Sequence, residues 1–223
     1  DKKSYIEALD QELKGFARNL ETVVLQRQDL ATVMEEFANI ISTLADLEVS
    51  KIITELFQQF SGTQLRIKDL LNRLSLQDML TLGYTLDEYQ RVVGSIKSTF
   101  GRRDKILSHL VKSESHLKKK QSSYDKAFKY NRTQTDKLEI LKSELSQQET
   151  KNQIIREKFQ TVSKVIIEEL KTFEFEKSHD FRNSIGIFLE STIESQKEAV
   201  ELWETFYNVN LAALDPTAQS SAV

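Results

Sequence analysis

Between Ile6 and Leu44 apolar residues recur in alternating steps of three and four: Ile6, Leu9, Leu13, Phe16, Leu20, Val23, then Leu30, Met34, Phe37, Ile41 and Leu44. Only Arg27 interrupts the series. A repeat of about 3.5 residues sustained this long suits a helix packed along its whole length against partner helices. The intervening residues are mostly charged or polar, as a solvated outer face requires. Arg27, at a core row, is expected to pack its stem and bring its head to a carboxylate, or to fix register.

The rest of the chain continues the theme. A second helical segment starts near Lys51, with a stripe of Ile53, Phe57, Phe60, Ile67, Leu71 and Leu74, then Leu82, Leu86, Tyr89, Val93, Ile96 and Phe100. Gly83 and Gly94 fall inside it. Each costs a helix roughly 1 kcal/mol relative to alanine, so they mark close helix approach or a bend. Beyond Phe100 the stripe thins to Leu107, Leu110, Leu117, Tyr124 and Phe128, as where a bundle tapers. Lys129 to Asp136 is polar and has the length of a helix connection. A third segment carries Leu138, Leu141, Leu145, Ile155, Phe159, Val162, Ile166, Phe173, Phe181, Ile185, Phe188, Trp203 and Phe206. Trp203 reads as a core or dimer anchor rather than a ligand-stacking residue.

The single proline, Pro216, lies near the C-terminal end, and there is no cysteine. Disulfides and thiolate metal sites are thereby excluded, and a reducing compartment suits the chain. No apolar run reaches the roughly 18 residues of a transmembrane helix. The first residue is Asp1 rather than methionine, so the chain reads as a piece of a longer protein. The expected fold is all-α: three long helices in an antiparallel coiled-coil bundle, at about 2–47, 51–129 and 136–210. One domain covers 1–212, and 213–223 reads as a disordered tail. Helices of such length span on the order of 65 to 120 Å, and the wide stripe of the first calls for more than two neighbours. Dimerisation is the simplest way to cover it.

Net charge is −3, which hides an asymmetry. From Lys97 to Lys142 there are 13 Lys or Arg against five Asp or Glu, a balance of +8, so the remainder carries −11. The basic residues include Arg102, Arg103, Lys105, Lys112, Lys118, Lys119, Lys120, Lys126, Lys129, Arg132, Lys137 and Lys142. They gather at the end of the second helix, the connection and the start of the third. Such a cluster is a solvated face, an anionic-lipid surface or a nucleic-acid surface. It lacks the arginine richness and aromatic interleaving of single-strand binders, and any zinc-finger or RNA-recognition signature.

No catalytic chemistry is legible. His109 and His116 are seven residues apart and can share a helix face, but no His-Glu-x-x-His motif surrounds them, and His179 stands alone among charged residues. Glycine-rich phosphate loops, G-x-S-x-G and calcium-loop spacings are missing. An enzyme, a metal centre and a cofactor are therefore not expected.

The run FEFEKSHDFRNSIGIFLESTIESQKEAVELWETF, with Phe173, Glu174, Glu176, Lys177, Asp180, Phe181, Gln196, Trp203, Glu204 and Phe206, resembles the C-terminal BAR helix of sorting nexins. The three-helix layout and the Lys118, Lys119, Lys120 cluster resemble the same family, its retromer-associated members especially, over residues 1 to about 210. The resemblance implies a crescent-shaped dimer with a six-helix core, a homodimer or a heterodimer with a related sorting nexin. It also implies peripheral attachment to endosomal membranes from the cytoplasm, and a surface that senses or generates tubule curvature during endosome-to-Golgi sorting. An upstream PX domain is usual in the family and is missing here.

By that resemblance the membrane-contacting set is Arg102, Arg103, Lys105, Lys112, Lys118, Lys119, Lys120, Lys126, Lys129, Arg132 and Lys137. Lys119, Lys120 and Lys137 match the family positions best, while Gln121, Ser122 and Ser123 stand where some relatives are basic. Phe16, Leu20, Arg27, Leu30, Met34, Phe37, Phe173, Phe181, Trp203 and Phe206 are the expected dimer or core contacts. The implied partners are an anionic, phosphoinositide-containing membrane and a retromer-type cargo complex, not nucleic acid. The competing reading is a coiled-coil tether that binds proteins only.

Overall fold

A computed structural model describes residues 2–130 and 135–211. All regular structure among them is helical: α1 (Lys2–Leu47), α2 (Lys51–Asp78), a π-helical turn (Met79–Gly83), α3 (Tyr84–Tyr130) and α4 (Thr135–Asn210). The chain is all-α, with α2, the π turn and α3 forming the second of three long helices. Arg132 and the 213–223 tail lie outside the described residues. Contacts divide the chain into two compact units, one of Asp1–Asp10 with Arg91–Lys177 and one of Gln11–Gln90 with Ser178–Val223.

In the Gln11–Gln90 unit the apolar rows of α1 part company. Leu13, Leu20 and Ile41 are buried with Val24, Ala31, Ala38 and Ala45. The alanines recur every seven residues and let α2 approach closely, near enough for the Ser61 hydroxyl to donate to the Ala38 carbonyl at 2.8 Å. Ile67 and Leu70 of α2 form a core cluster with Leu202 of α4, and Met34 packs against it. Phe60 meets three rings: Phe37 edge-on at 6.1 Å, Trp203 at 6.2 Å and Phe206 at 5.4 Å. Aromatic pairs at these separations favour tilted or edge geometries over a face-to-face sandwich.

Arg27 finds its carboxylate. Its Nη1 donates to Asp78 Oδ2 at 2.6 Å, and the Asp78 side chain is wholly buried. Ser75 Oγ and Asp78 Oδ1 are buried without a hydrogen-bond partner. Immediately after Asp78 the helix changes pitch: the Tyr84 N–H donates to the Met79 carbonyl, five residues back. The sequence explains why. A strict 3.5-residue repeat after Leu74 would continue 78, 81, 85, 88, 92, whereas the buried residues are Asp78, Leu82, Leu86, Tyr89 and Val93. The row has slipped by one residue, and a π turn accommodates one extra residue per turn.

Gly83 closes that turn. A β-carbon there would meet the end of the Met79 side chain at 3.4 Å and the Asp78 carbonyl oxygen at 3.6 Å, both of the same helical segment, and one at Gly94 would meet nothing within 4 Å. The glycines therefore do not record close helix approach. Gly94→Ala is expected to raise stability by up to about 1 kcal/mol, because it removes backbone freedom from the unfolded chain at no steric cost. That corresponds to about 2–4 °C in a thermal melt followed by circular dichroism.

The other unit is built from the first turns of α1 with α3 and α4. Its buried residues include Ile6, Val93, Phe100, Leu110, Ile166, Leu170 and Phe173. Past Leu110 on α3 and before Ile166 on α4 the only buried described residues are polar, Ser113 and Asn152. There Leu117, Leu141, Leu145, Ile155 and Phe159 are half-buried, and polar contacts link the two helices: Gln148 Nε2 to Ser113 Oγ at 3.1 Å, Arg156 to Glu114 at 2.8 Å and Lys120 to Glu144 at 3.1 Å.

Candidate functional site

Five Lys or Arg residues and two histidines of α3 form a single row. Arg102, Lys105, His109, Lys112, His116, Lys119 and Lys126 are all exposed, with exposed Ser123 completing the three-and-four spacing. A 3.5-residue repeat keeps them on one helix face, the counterpart of the apolar row beneath. Lys118 and Lys129 are exposed beside the row, and Lys137 is exposed in the first turn of α4. Arg102, Lys105, Lys112, Lys118, Lys119, Lys126 and Lys129 pair with no described carboxylate.

Two members of the expected set are turned to other work. The Arg103 guanidinium lies 4.7 Å over the Phe159 ring and its Nε donates to Ser163 Oγ at 3.0 Å, so this charge is spent on α3–α4 packing. Lys120 is bridged to Glu144. Sequence reasoning found the cluster but not the row, although the polar repeat that defines it can be counted as readily as the apolar one. His109 and His116 take two positions in that row.

The first turns of α1 are tied to the same unit. Lys3 Nζ lies 2.8 Å from Asp104 Oδ2, and this hydrogen bond raises the lysine pKa and lowers that of the aspartate. Lys177 sits between the rings of Tyr5 and Phe173, 5.2 and 5.3 Å from their centroids. Burial alone would lower its pKa, but its bonds to Glu174 and to the Tyr5 hydroxyl outweigh that and hold it above the ordinary lysine value. Glu174, which burial would raise, is lowered by the Lys177 bond.

In the other unit the Tyr89 hydroxyl donates to Asp180 Oδ2 at 2.7 Å and lowers that carboxyl's pKa, while Phe181 packs on the Tyr89 ring at 5.2 Å. The third-helix motif thus consists of packing and anchoring residues. Phe173 is buried, Phe181 half-buried, and Trp203 and Phe206 line the Phe60 cluster.

A second exposed surface is apolar. Phe16, Val23, Leu30, Phe37 and Leu44, spaced by sevens on α1, are 42–52% exposed, and Val33, Ile40 and Leu47 widen the stripe. Leu189, Ile193, Val200, Trp203 and Tyr207 make a similar row on α4. Leu20 is buried and Met34 partly so, whereas Phe16, Leu30 and Phe37 of the expected set face outward. One open groove, about 360 Å³, is lined by Val92, Ile96, Val165, Ile166, Leu170 and Phe173. Among the described residues no group of three His, Cys, Asp or Glu could hold a metal ion. No described helix is long and apolar enough to cross a membrane.

Comparison with known proteins bears on the family and the fold. Residues 1–209 match the family described as Vps5 C terminal like. The chain is 38% identical over 211 residues to vacuolar protein sorting-associated protein 5 of Saccharomyces cerevisiae, covering 95% of this chain and 31% of that protein. It is 27% identical over 206 residues to sorting nexin-1 of Bos taurus, covering 92% and 39% respectively. The chain thus spans about a third of the length of these relatives. Among solved structures, the N-terminal I-BAR domain of IBARa from D. discoideum aligns with a TM-score of 0.50 at 16% identity, over 96% of this chain and 86% of that one. The chain belongs to the Vps5 C-terminal family, and its fold is that of a BAR domain.

Proposed function

We propose that this domain is a dimeric scaffold that binds an anionic membrane and senses or imposes its curvature, in endosomal tubule formation and retrograde sorting. The observation that carries the reading is the exposed basic row from Arg102 to Lys126. Near an anionic leaflet each Lys or Arg contributes about 1 kcal/mol, and a straight row brings several to the surface together. The heptad-spaced apolar stripe on α1 supports a second copy, or a related sorting nexin, as the partner that covers it. Both similar proteins, vacuolar protein sorting-associated protein 5 and sorting nexin-1, are named for sorting. The wider setting of this proposal is a peripheral place on endosomal membranes, with phosphoinositide-containing lipid and a retromer-type cargo complex as partners. The family is one of non-enzymatic scaffolds.

The test is co-sedimentation with phosphatidylserine-containing vesicles of several diameters, comparing wild type with a Lys112→Glu/Lys119→Glu/Lys126→Glu variant. Light scattering checks that both are dimers. Wild type is expected to bind, to prefer one diameter and to lose binding in high salt, where exposed charges are screened beyond a few ångströms. The variant should bind at least tenfold more weakly while remaining dimeric. Equal binding by both proteins, or binding indifferent to salt, would overturn the reading.

A further inference from the structure

We propose that the end of α3 and the start of α4 insert apolar side chains into the border of the acyl region of an anionic bilayer. Phe128 and Ile140 would enter, while Lys126, Lys129 and Lys137 hold the headgroups. This rests on the membrane reading above but adds a different chemistry, insertion beside adhesion. Phe128 is 50% exposed and Ile140 61% exposed, each among lysines. Tyr124 stacks on Phe128 at 6.2 Å with the rings 23° from parallel, so the aromatic edge is presented as a pair. From Lys126 to Lys142 the sequence has five basic residues against Asp136 and Glu139.

The charge decides what covers this apolar surface. A second copy would bring its own lysines against Lys126, Lys129 and Lys137, and like charges directly opposed are unfavourable. An anionic bilayer offers the opposite charge at the headgroups and an apolar layer beneath them. Apolar side chains flanked by basic ones are the composition of segments that lie in that interface. Along the exposed stripe of α1, Lys14 and Arg18 flank only Phe16, and from Glu21 to Leu47 a single basic residue, Arg27, stands against Glu21, Asp29, Glu35, Glu36 and Asp46. That contrast separates this surface from the one assigned to a second chain.

The chain has no cysteine, so single-cysteine variants can carry an environment-sensitive fluorophore. Phe128→Cys and Ile140→Cys, labelled, are expected to brighten and shift to the blue with mixed phosphatidylcholine–phosphatidylserine vesicles. Labelled Ser146→Cys, exposed farther along α4, should not change. The unlabelled Phe128→Ser/Ile140→Ser variant, its helicity checked by circular dichroism, should bind about tenfold more weakly than wild type at low salt, where wild type binds. If wild type sediments with vesicles but neither label responds and the serine variant binds like wild type, insertion is overturned while adhesion stands. If wild type does not sediment at all, the membrane reading fails and takes this inference with it.

Discussion

Arg27→Met should lower stability by about 3–5 kcal/mol, the usual consequence of removing one partner from a buried ion pair. The pair is short, 2.6 Å, and the Asp78 side chain is entirely buried. With Arg27 gone, a carboxylate remains in the core whose other oxygen already lacks a partner. Converted at about 2–4 °C per kcal/mol for a chain of this size, the melting temperature should fall by about 6–20 °C. The Arg27→Met/Asp78→Leu double variant should recover most of the loss, because a well-packed apolar pair often matches or exceeds a buried ion pair. Thermal melts of the wild type, both single variants and the double variant close the cycle and give the coupling directly. A single variant that melts with wild type would mean that Asp78 reaches water or another donor in solution.

Deletion of Thr81 should be tolerated, which is unusual for a residue inside a long helix. Thr81 lies in the π turn, where the buried row has slipped by one residue. Removing it returns Leu82, Leu86, Tyr89 and Val93 to the phase set by Leu74 and Asp78, so an unbroken α-helix can satisfy the same core. Deleting Ser98 from α3, where the row has no slip, should behave oppositely. Every later side chain then turns by about 100°, and Phe100 and Leu110 leave the core. At about 1.5–3 kcal/mol for each large apolar side chain, the loss is about 3–6 kcal/mol. Melting temperatures of the two deletion variants, measured side by side, check the assignment of the π turn. Equal destabilisation would count against it.

These cases show how far the amino-acid order could be read. The helices follow from apolar spacing, and the slip between Leu74 and Leu82 is visible in the same series once the steps are counted. What spacing cannot tell is which neighbour covers a row. Leu20 and Phe16 belong to one heptad series, yet Leu20 is buried within the chain and Phe16 faces outward. That choice depends on where α2 and α4 sit, which is decided partly by small residues at Ala31, Ala38 and Ala45. Arg27 announces a buried carboxylate without identifying Asp78, which is 51 residues away. Arg103 looks like its basic neighbours in sequence, and only the register of α4 places Phe159 beneath it. For the candidate surface, residue type was legible, whereas the division between presented and internally committed charges was not.

The polar joint between α3 and α4 has a consequence in time rather than in shape. Beyond Leu110 the described apolar side chains of α3 are at most half-buried, and the helices are linked there also by Gln148 on Ser113, Arg156 on Glu114 and Lys120 on Glu144. Exposed pairs of this kind each contribute at most about 1 kcal/mol. Local unwinding of the two helices there therefore costs much less than unfolding the rest, and it is this unwinding, which breaks the bonds within each helix, that lets the backbone amides of the stretch exchange with solvent. A surface that docks on this stretch would slow that exchange, so hydrogen–deuterium labelling registers its arrival as protection before any change of form can be seen.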